Sequence, residues 1–502
     1  MTSKPNDAFS RLLAGVTGAH KDEAGRVILA FFALHFLLIS YYLVKPLRNS
    51  QFLKEFAPET LPMVTFGVVI VSFIFTKIFS FLADRVEKYR LVAGAYVVVM
   101  ILKLVFGQLL LTGSKAAVVA FYFFGSTYFL LAIATMWACN NDIFTPDQGE
   151  RCYGFIAVGS STGGIVGSWI SGELAHSSLK DHVPECSALS MAVALGLLML
   201  ASRKRRKERQ SEEAANNNRK TSQPPRFWSD LGEIVQRPYV RRIGLMVLCL
   251  AIFNNSLDYI SNRAIDREVT RQQFALHFPY LGEADYATVY TLKRESASQR
   301  TEKLKELAMS SGYSEEQLST DYKKYQGGTE SLTREVFSDI YSYQGLLGIV
   351  LLLVVARLVF RYCGVRFATV ILPIVAAVAV AAFVFPLGLL AVQGIMVVVG
   401  SANYSLNNAA KELLYTASDE DTKFKHKPLI EGPGMRFGDV LGASVTLTML
   451  HLAGVMGWSE EVGQWMIYTV LLLAIAVWLR AAYLAGREYD TERRKMPGEI
   501  SA

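Results

Sequence analysis

Apolar residues in this chain gather into windows of about 20 residues, the length an α-helix needs to cross a hydrocarbon layer roughly 30 Å thick. Twelve such windows can be drawn, at 26–46, 61–83, 90–113, 116–142, 150–177, 187–202, 240–263, 337–358, 364–385, 387–415, 428–454 and 460–484. Backbone amides inside a bilayer must be satisfied within helices or a closed barrel. Alternating strand patterns are missing, which argues against a barrel. The expected fold class is therefore an all-α polytopic membrane protein with twelve transmembrane helices. The fifth, tenth and eleventh windows are polar, so hydropathy guides least there. Composition agrees, since 502 residues that are 52% hydrophobic, with mean hydropathy +0.27, are too apolar for an ordinary soluble enzyme.

The N-terminal stretch carries acids (Asp7, Asp22, Glu23) ahead of a run long enough to span. Neither a cleavable signal nor an organelle transit peptide is expected from that pattern. The net charge is +7, and its placement matters more than its size. "RKRRKERQ" at 203–210, "ADRVEKYR" after the second window and "RLVFRYCGVRF" after the eighth are basic short segments. Basic short loops stay in the cytoplasm. The chain then reads as a multi-pass protein of the cell's inner (plasma) membrane with both termini cytoplasmic. The basic run is read as an orientation signal and linker, so no nucleic-acid partner is expected. Cys139, Cys152, Cys186, Cys249 and Cys363 are scattered without a CxxC pair and read as membrane-buried thiols.

The polar stretch 203–238 divides the windows six and six. The expected domains are a cytoplasmic segment 1–25, a bundle 26–202, the linker 203–238, a second bundle 239–485 and a cytoplasmic tail 486–502. An internal repeat supports two pseudo-symmetric six-helix bundles. "NNDIFTPDQGERCYGFIAVGSSTGGIVGSW" follows the fourth window and "AAKELLYTASDEDTKFKHKPLIEGPGMRFGDVLGAS" the tenth. Each has a carboxylate at a helix end (Asp142, Glu412) and runs on into GxxxGxxxG: Gly159, Gly163, Gly167 and then Gly434, Gly438, Gly442. Glycines four apart share a helix face and admit a neighbouring helix closely. Residues 264–336, between the seventh and eighth windows, are polar and read as a small helical extracytoplasmic insertion. In it "SEEQL" fits a helix start at Ser314 and Gln317, and Leu304 and Leu307 fall at helical spacing. It is either a packing cap, a gate or a dock for an extracytoplasmic partner.

No GxxxxGK(S/T) string, HExxH string or Cys/His cluster occurs, and no Ser/His/Asp set stands out. Movement of a solute is expected in place of bond making, with no catalytic residue, metal or cofactor.

The two halves, the central basic linker and the "ADRVEKYR" turn, with Asp84 and Arg85 in the matching places, resemble the major facilitator superfamily. Longer strings are similar to the bacterial and plastid ATP:ADP antiporters. They are "WACNNDIFTPDQGERCYGFIAVG" and "NYSLNNAAKELLYTASDEDTKFKHKPLIEGPGMRFGDVLGAS", with Asp258 at the acid of "FNNSLDYI". This resemblance implies alternating-access exchange of nucleotides. Two departures bear on it. Gln51 stands at a lysine position of the family's first helix, and Asp439 stands where those antiporters place a lysine after Arg436-Phe437-Gly438. The resemblance assigns such lysines to phosphate charge.

A two-bundle transporter places its solute near the membrane midplane between the halves. The substrate candidates are Lys45, Arg48, Lys77, Lys103, Asn140, Asn141, Asn255, Asp258, Asn403, Asn407 and Arg436. Arg48 leads, because a flat guanidinium holds phosphate or carboxylate through two parallel hydrogen bonds. Lys45 lies one turn before it. For both, snorkelling to the outer headgroups is the alternative. Lys103 is open between a solute and a structural carboxylate. Asp258 is open between proton coupling and pairing with a buried cation, and the asparagines between a base, ribose or sugar and helix contacts. Asp84, Arg85, Asp142, Lys411, Glu412 and Asp439 are read as gating groups. The partners implied are the lipid bilayer and a small anion of ATP/ADP type. A proton-coupled or facilitative carrier of another solute, and a non-transporting receptor, remain as the other readings.

Overall fold

A computed structural model describes residues 19–20, 23–83, 85–212, 227–419 and 422–494. Asp84, most of 1–25, linker residues 213–226 and tail residues 495–502 therefore lie outside the described residues. Among the described residues there is no strand.

The six helices of the first half are α1 (Ala24–Glu55), α2 (Leu61–Ala83), α3 (Lys88–Leu111), α4 (Lys115–Ile143), α5 (Pro146–Ala175) and α6 (Val183–Glu212). A short α7 (Phe227–Gln236) precedes α8 (Pro238–His277), α9 (Glu283–Thr291) and α10 (Ala297–Ser311). Then come α11 (Glu315–Tyr362), α12 (Gly364–Ala382), α13 (Leu389–Thr416), α14 (Lys427–Val455) and α15 (Glu460–Arg494). Eleven of the described helices are long and apolar enough to cross a membrane. The twelfth of the expected spans, α5, has the length, at 30 residues, but its glycines and hydroxyls keep its hydropathy low. Ile70, Ile74, Ile78 and Phe81 on α2 and Leu353 on α11 are exposed, an arrangement that suits lipid as solvent and would promote aggregation in water.

The chain forms two compact units. One comprises Met1–Glu55, Ile70–Lys220 and Gln326–Gly345; the other comprises Phe56–Val69, Thr221–Tyr325 and Leu346–Ala502. In the first, α1 is the central element, burying Ala30, Leu34, Leu37 and Val44 against Tyr96, Phe121, Met136, Ile156 and Met191. The start of α5 is fixed by "TPDQ". The Thr145 hydroxyl accepts from the Gln148 amide at 3.4 Å, while the Gln148 side chain accepts from the Thr145 amide at 3.0 Å. Pro146 fills the first helical position, where no amide proton is needed.

The glycine ladders do in structure what their spacing implies. A Cβ on Gly159 would lie 2.5 Å from the Phe31 carbonyl oxygen, one on Gly163 would strike the His35 carbonyl, and one on Gly167 would lie 2.7 Å from the Ile39 carbonyl. So α5 rests on the backbone of α1. In the second unit a Cβ on Gly438 would meet Ala251 Cβ at 2.5 Å, and one on Gly442 the Ile252 carbonyl at 2.9 Å. There α14 rests on α8. The repeat thus pairs the first with the fifth span and the seventh with the eleventh. Gly434 takes no part, facing only Leu429 of its own turn at 3.3 Å.

The insertion is made partly by prolonging spans. The seventh span continues unbroken to His277 and the eighth begins at Glu315, with α9 and α10 between them. The helix at "SEEQL" starts as expected, the Ser314 hydroxyl accepting from the Gln317 amide at 3.2 Å. The insertion has its own core, including Phe274, Phe278, Val289, Leu304, Leu307 and Tyr325. Beside it the buried Lys293 ammonium donates to both Asp266 oxygens at 2.6 and 2.8 Å, and the Tyr290 hydroxyl donates to Asp266 at 2.8 Å. The five cysteines are unpaired, and Cys363 is exposed where a buried thiol was expected.

Close backbone contact cannot absorb a side chain, so Gly163→Val is expected to destabilise the purified protein by about 1–3 kcal/mol or more, the usual cost of overpacking. Gly94→Ala, where an added methyl meets nothing within 4 Å, is expected to be neutral or mildly stabilising. Thermal unfolding in detergent checks the pair.

Candidate solute-binding site

In the first unit Lys45 and Arg48 turn inward along α1. The Lys45 ammonium sits 3.8 Å from the centre of the Tyr341 ring and 5.2 Å from that of Tyr42. Arg48 lies against α4, its guanidinium carbon 4.7 Å from the centre of the Tyr122 ring. It donates to the Ser126 hydroxyl at 2.8 Å and to the Asn49 side-chain oxygen at 2.8 and 3.1 Å. Asn49 in turn donates to the Tyr341 hydroxyl at 3.0 Å. A Cβ added at Gly125 would stand 3.1 Å from Arg48 Cδ, so this glycine makes room for the guanidinium. Pro46, between the cations, has no amide proton to give to the helical ladder. Both cations are half-buried. Cation–ring contacts of this kind are worth about 0.5–2 kcal/mol.

Lys103 lies elsewhere in this bundle. It is fully buried, donating to the Ser40 and Ser187 hydroxyls at 2.5 and 2.7 Å with the Tyr128 ring centre 4.6 Å away. The two serine protons go to opposite carbonyls, Ser40 to Ser187 at 2.7 Å and Ser187 to Ser40 at 2.5 Å. The amine therefore joins α1, α3 and α6 through hydroxyls where a structural carboxylate was one expectation. Lys77 is exposed on α2. Asn140 is buried, and Asn141 accepts from the Tyr153 hydroxyl at 2.8 Å.

In the second unit Arg436 donates to Asp439, its own-turn neighbour, at 3.0 Å. Asp258 is near enough to act electrostatically on Asp439. Asn255 donates to Thr65 at 3.3 Å, and Asn407 donates to Asn403 at 3.2 Å. The last pair sits in a π-helical turn, Asn403–Asn407, interrupting α13. Such turns are frequent at functional sites.

The remaining gating candidates form ion pairs inside single units. Lys88 holds Asp142 at 2.6 Å, Lys427 holds Glu412 at 2.7 Å and Lys411 holds Glu431 at 3.0 Å. The carboxylates at corresponding helix ends thus each take a lysine from a neighbouring helix, Asp142 from the preceding α3 and Glu412 from the following α14. Arg85 donates to the Phe81 carbonyl at 2.9 Å. Among the described residues no group of three His, Cys, Asp or Glu side chains is arranged to hold a metal ion.

A sequence profile of the Major Facilitator Superfamily matches residues 27–273. The fold agrees: the nucleoside transporter NupG superposes with TM-score 0.53 at 13% identity, covering 95% of this chain and 100% of its own. A bacterial homologue of the human lysosomal transporter Spinster, in an inward-facing and unoccupied conformation, gives 0.55 at 10% identity over 96% of this chain and 100% of its own. Just under half of the chain thus matches the major facilitator superfamily, and the fold is similar to that of these transporters. A profile of the TLC ATP/ADP transporters matches residues 386–489, the stretch holding the longer of the two resembling strings. No curated protein matches the chain significantly in sequence. The resemblance read from the strings is borne out, and the chain is a membrane transporter of the alternating-access kind.

Ser126, Tyr122, Asn49 and Tyr341 were not singled out by sequence. Hydroxyl and aromatic residues on the cation-facing side of an apolar helix were the signal available. Tyr341 had none, because its span lies almost 300 residues from α1.

At the N-terminal end of α1, Glu23 accepts from Arg151 at 3.0 Å, from Gln148 at 2.9 Å and from the His20 amide at 3.2 Å. Burial acts to raise its pKa, but these hydrogen bonds, His20 first and then Gln148 and Arg151, outweigh it and hold the carboxyl below its usual range. A lowered folded-state pKa means stability that is present above the unfolded value and lost as pH falls through the folded one. Melting temperature followed below about pH 4 is expected to fall more steeply in the native sequence than in Glu23→Gln.

Proposed function

We propose that this transporter exchanges nucleotides of the ATP/ADP type or a close phosphate-bearing relative, with Lys45 and Arg48 receiving the phosphates. The observation that carries the reading is the inward pair itself: two cations one turn apart, held on tyrosine rings, a hydroxyl and an amide. Phosphate is bound well by a guanidinium fork beside an ammonium point charge. Tyr41, Tyr42 and Tyr341 around them supply faces on which a base can stack. In the second unit Arg436 is engaged by Asp439, so the substitution of Asp439 for a family lysine shifts the burden of phosphate charge to α1. The match to ATP/ADP transporters over 386–489 supports the same solute class. The placement in the inner membrane with cytoplasmic termini, and the division into bundles 26–202 and 239–485, belong to this proposal.

A second reading, proton-coupled carriage of another solute, draws on the nearness of Asp258 to Asp439, the acid that Arg436 engages. Collapse of transport with the proton gradient, and in Asp258→Asn, would favour it.

Proteoliposomes loaded with ADP are expected to take up labelled ATP by counter-exchange. Losing a buried charged hydrogen-bond partner costs about 2–5 kcal/mol, so Arg48→Ala should lower uptake at limiting substrate by at least about 30-fold. Lys45→Ala should lower it less. Wild-type protein that carries another solute and ignores both nucleotides would end the nucleotide assignment.

A further inference from the structure

A separate feature of the first unit lies where α1 and α3 end and α6 begins. A cavity of about 190 Å³ is lined there by Gln51, Lys54, Lys180, Asp181, Pro184 and Arg334, among others. Gln51 and Lys54 follow Arg48 by one and two helical turns, so the cavity stands roughly 5–9 Å further along α1. It is too small for a nucleotide, since drug-sized ligands occupy about 300–1,000 Å³.

Its charges are arranged unequally. Arg334 is fully buried, and Glu330 accepts from two of its nitrogens, so that pair is neutral within itself. Glu330 also accepts from the Ser50 hydroxyl at 3.0 Å, and Arg334 donates to the Lys180 carbonyl at 2.8 Å. The pair therefore fixes the backbone that carries Lys180. The Lys54 and Lys180 ammonium groups are half-buried, and neither makes a hydrogen bond or ion pair with a described residue. Asp181, the one acid of the lining, is exposed. Glu185, one residue beyond Pro184, accepts from Gln108 at 3.5 Å through one oxygen, while its other oxygen is buried without a hydrogen-bond partner among the described residues and lies 3.9 Å from His182. Over the lining residues alone, with Arg334 balanced by Glu330, Lys54 and Lys180 outweigh Asp181 by one positive charge. The first turn of α6, represented by Pro184, adds the positive end of a helix dipole.

We propose that this cavity binds a single phosphate group, delivered as inorganic phosphate or as a phospholipid headgroup, at a site separate from the Lys45 and Arg48 cluster. Lys54 and Lys180 supply the charge, Gln51 supplies a neutral donor, and the Arg334–Glu330 pair holds the frame. Binding here is independent of which solute the transporter carries.

The test uses the purified full chain. In detergent at constant ionic strength, thermal unfolding is followed against inorganic phosphate. In nanodiscs of zwitterionic lipid with or without phosphatidylglycerol, retained lipid is read by native mass spectrometry. The variants are Lys54→Gln/Lys180→Gln, Lys54→Arg/Lys180→Arg and Arg48→Ala. Two half-exposed charge contacts together account for about tenfold in affinity. Saturable stabilisation by phosphate that weakens about tenfold in the double glutamine variant, and persists in the double arginine variant and in Arg48→Ala, identifies a soluble-phosphate site. No response to phosphate, with retention of phosphatidylglycerol lost only in the double glutamine variant, identifies a headgroup site. Equal phosphate and lipid behaviour in the wild type and the double glutamine variant overturns the proposal, as does a phosphate effect lost in Arg48→Ala alone.

Discussion

Carbonyl oxygens of α1 touch α5 directly because Gly159, Gly163 and Gly167 present no side chain there. In lipid no hydrophobic force draws helices together, so close van der Waals approach has to provide the attraction. That single contact decides how α1 is rotated, and the rotation decides which of its residues meet the bundle. With the apolar side of α1 committed to the core, Lys45 and Arg48 fall where Tyr341, Tyr122 and Ser126 can receive them. The second unit repeats the device with Gly438 and Gly442 on α8. The repeat is thus one of mechanics as well as of letters.

Positive charge is handled in three different ways. At Lys103 the amine is buried among hydroxyls whose own protons are committed to carbonyls, which fits a structural pin joining three helices. At Arg436 it is matched by a carboxylate one turn away. At Lys45 and Arg48 it rests on π faces, an amide and a hydroxyl. The first two arrangements neutralise or enclose the charge. The third holds the side chains in place on rings, an amide and a hydroxyl.

Much of the fold was legible because its grammar is local. Window length set the spans, GxxxG spacing set two helix contacts, and "TPDQ" and "SEEQL" set two helix starts. The weak hydropathy of α5 also has a local cause, its glycine face. The site was less legible. Lys45 and Arg48 are visible as cations in grease, but the contact of Lys45 with Tyr341 is fixed only by tertiary packing. The unbroken passage of α8 into the insertion was likewise hidden, since polarity marks where lipid ends and says nothing of where a helix ends. Gly434 shows the reverse failure: its spacing fits the ladder, but a π-helical turn, Ile430–Gly434, takes it out of the interface.

The helix α11 holds 48 residues without a break, about 72 Å of continuous rise, more than twice a bilayer's hydrocarbon thickness. Its first turns belong to the insertion's core, and its later ones are apolar enough to lie in lipid. The insertion's core and the apolar stretch therefore share one helical rod, in which Leu351–Ala356 is a π-helical turn.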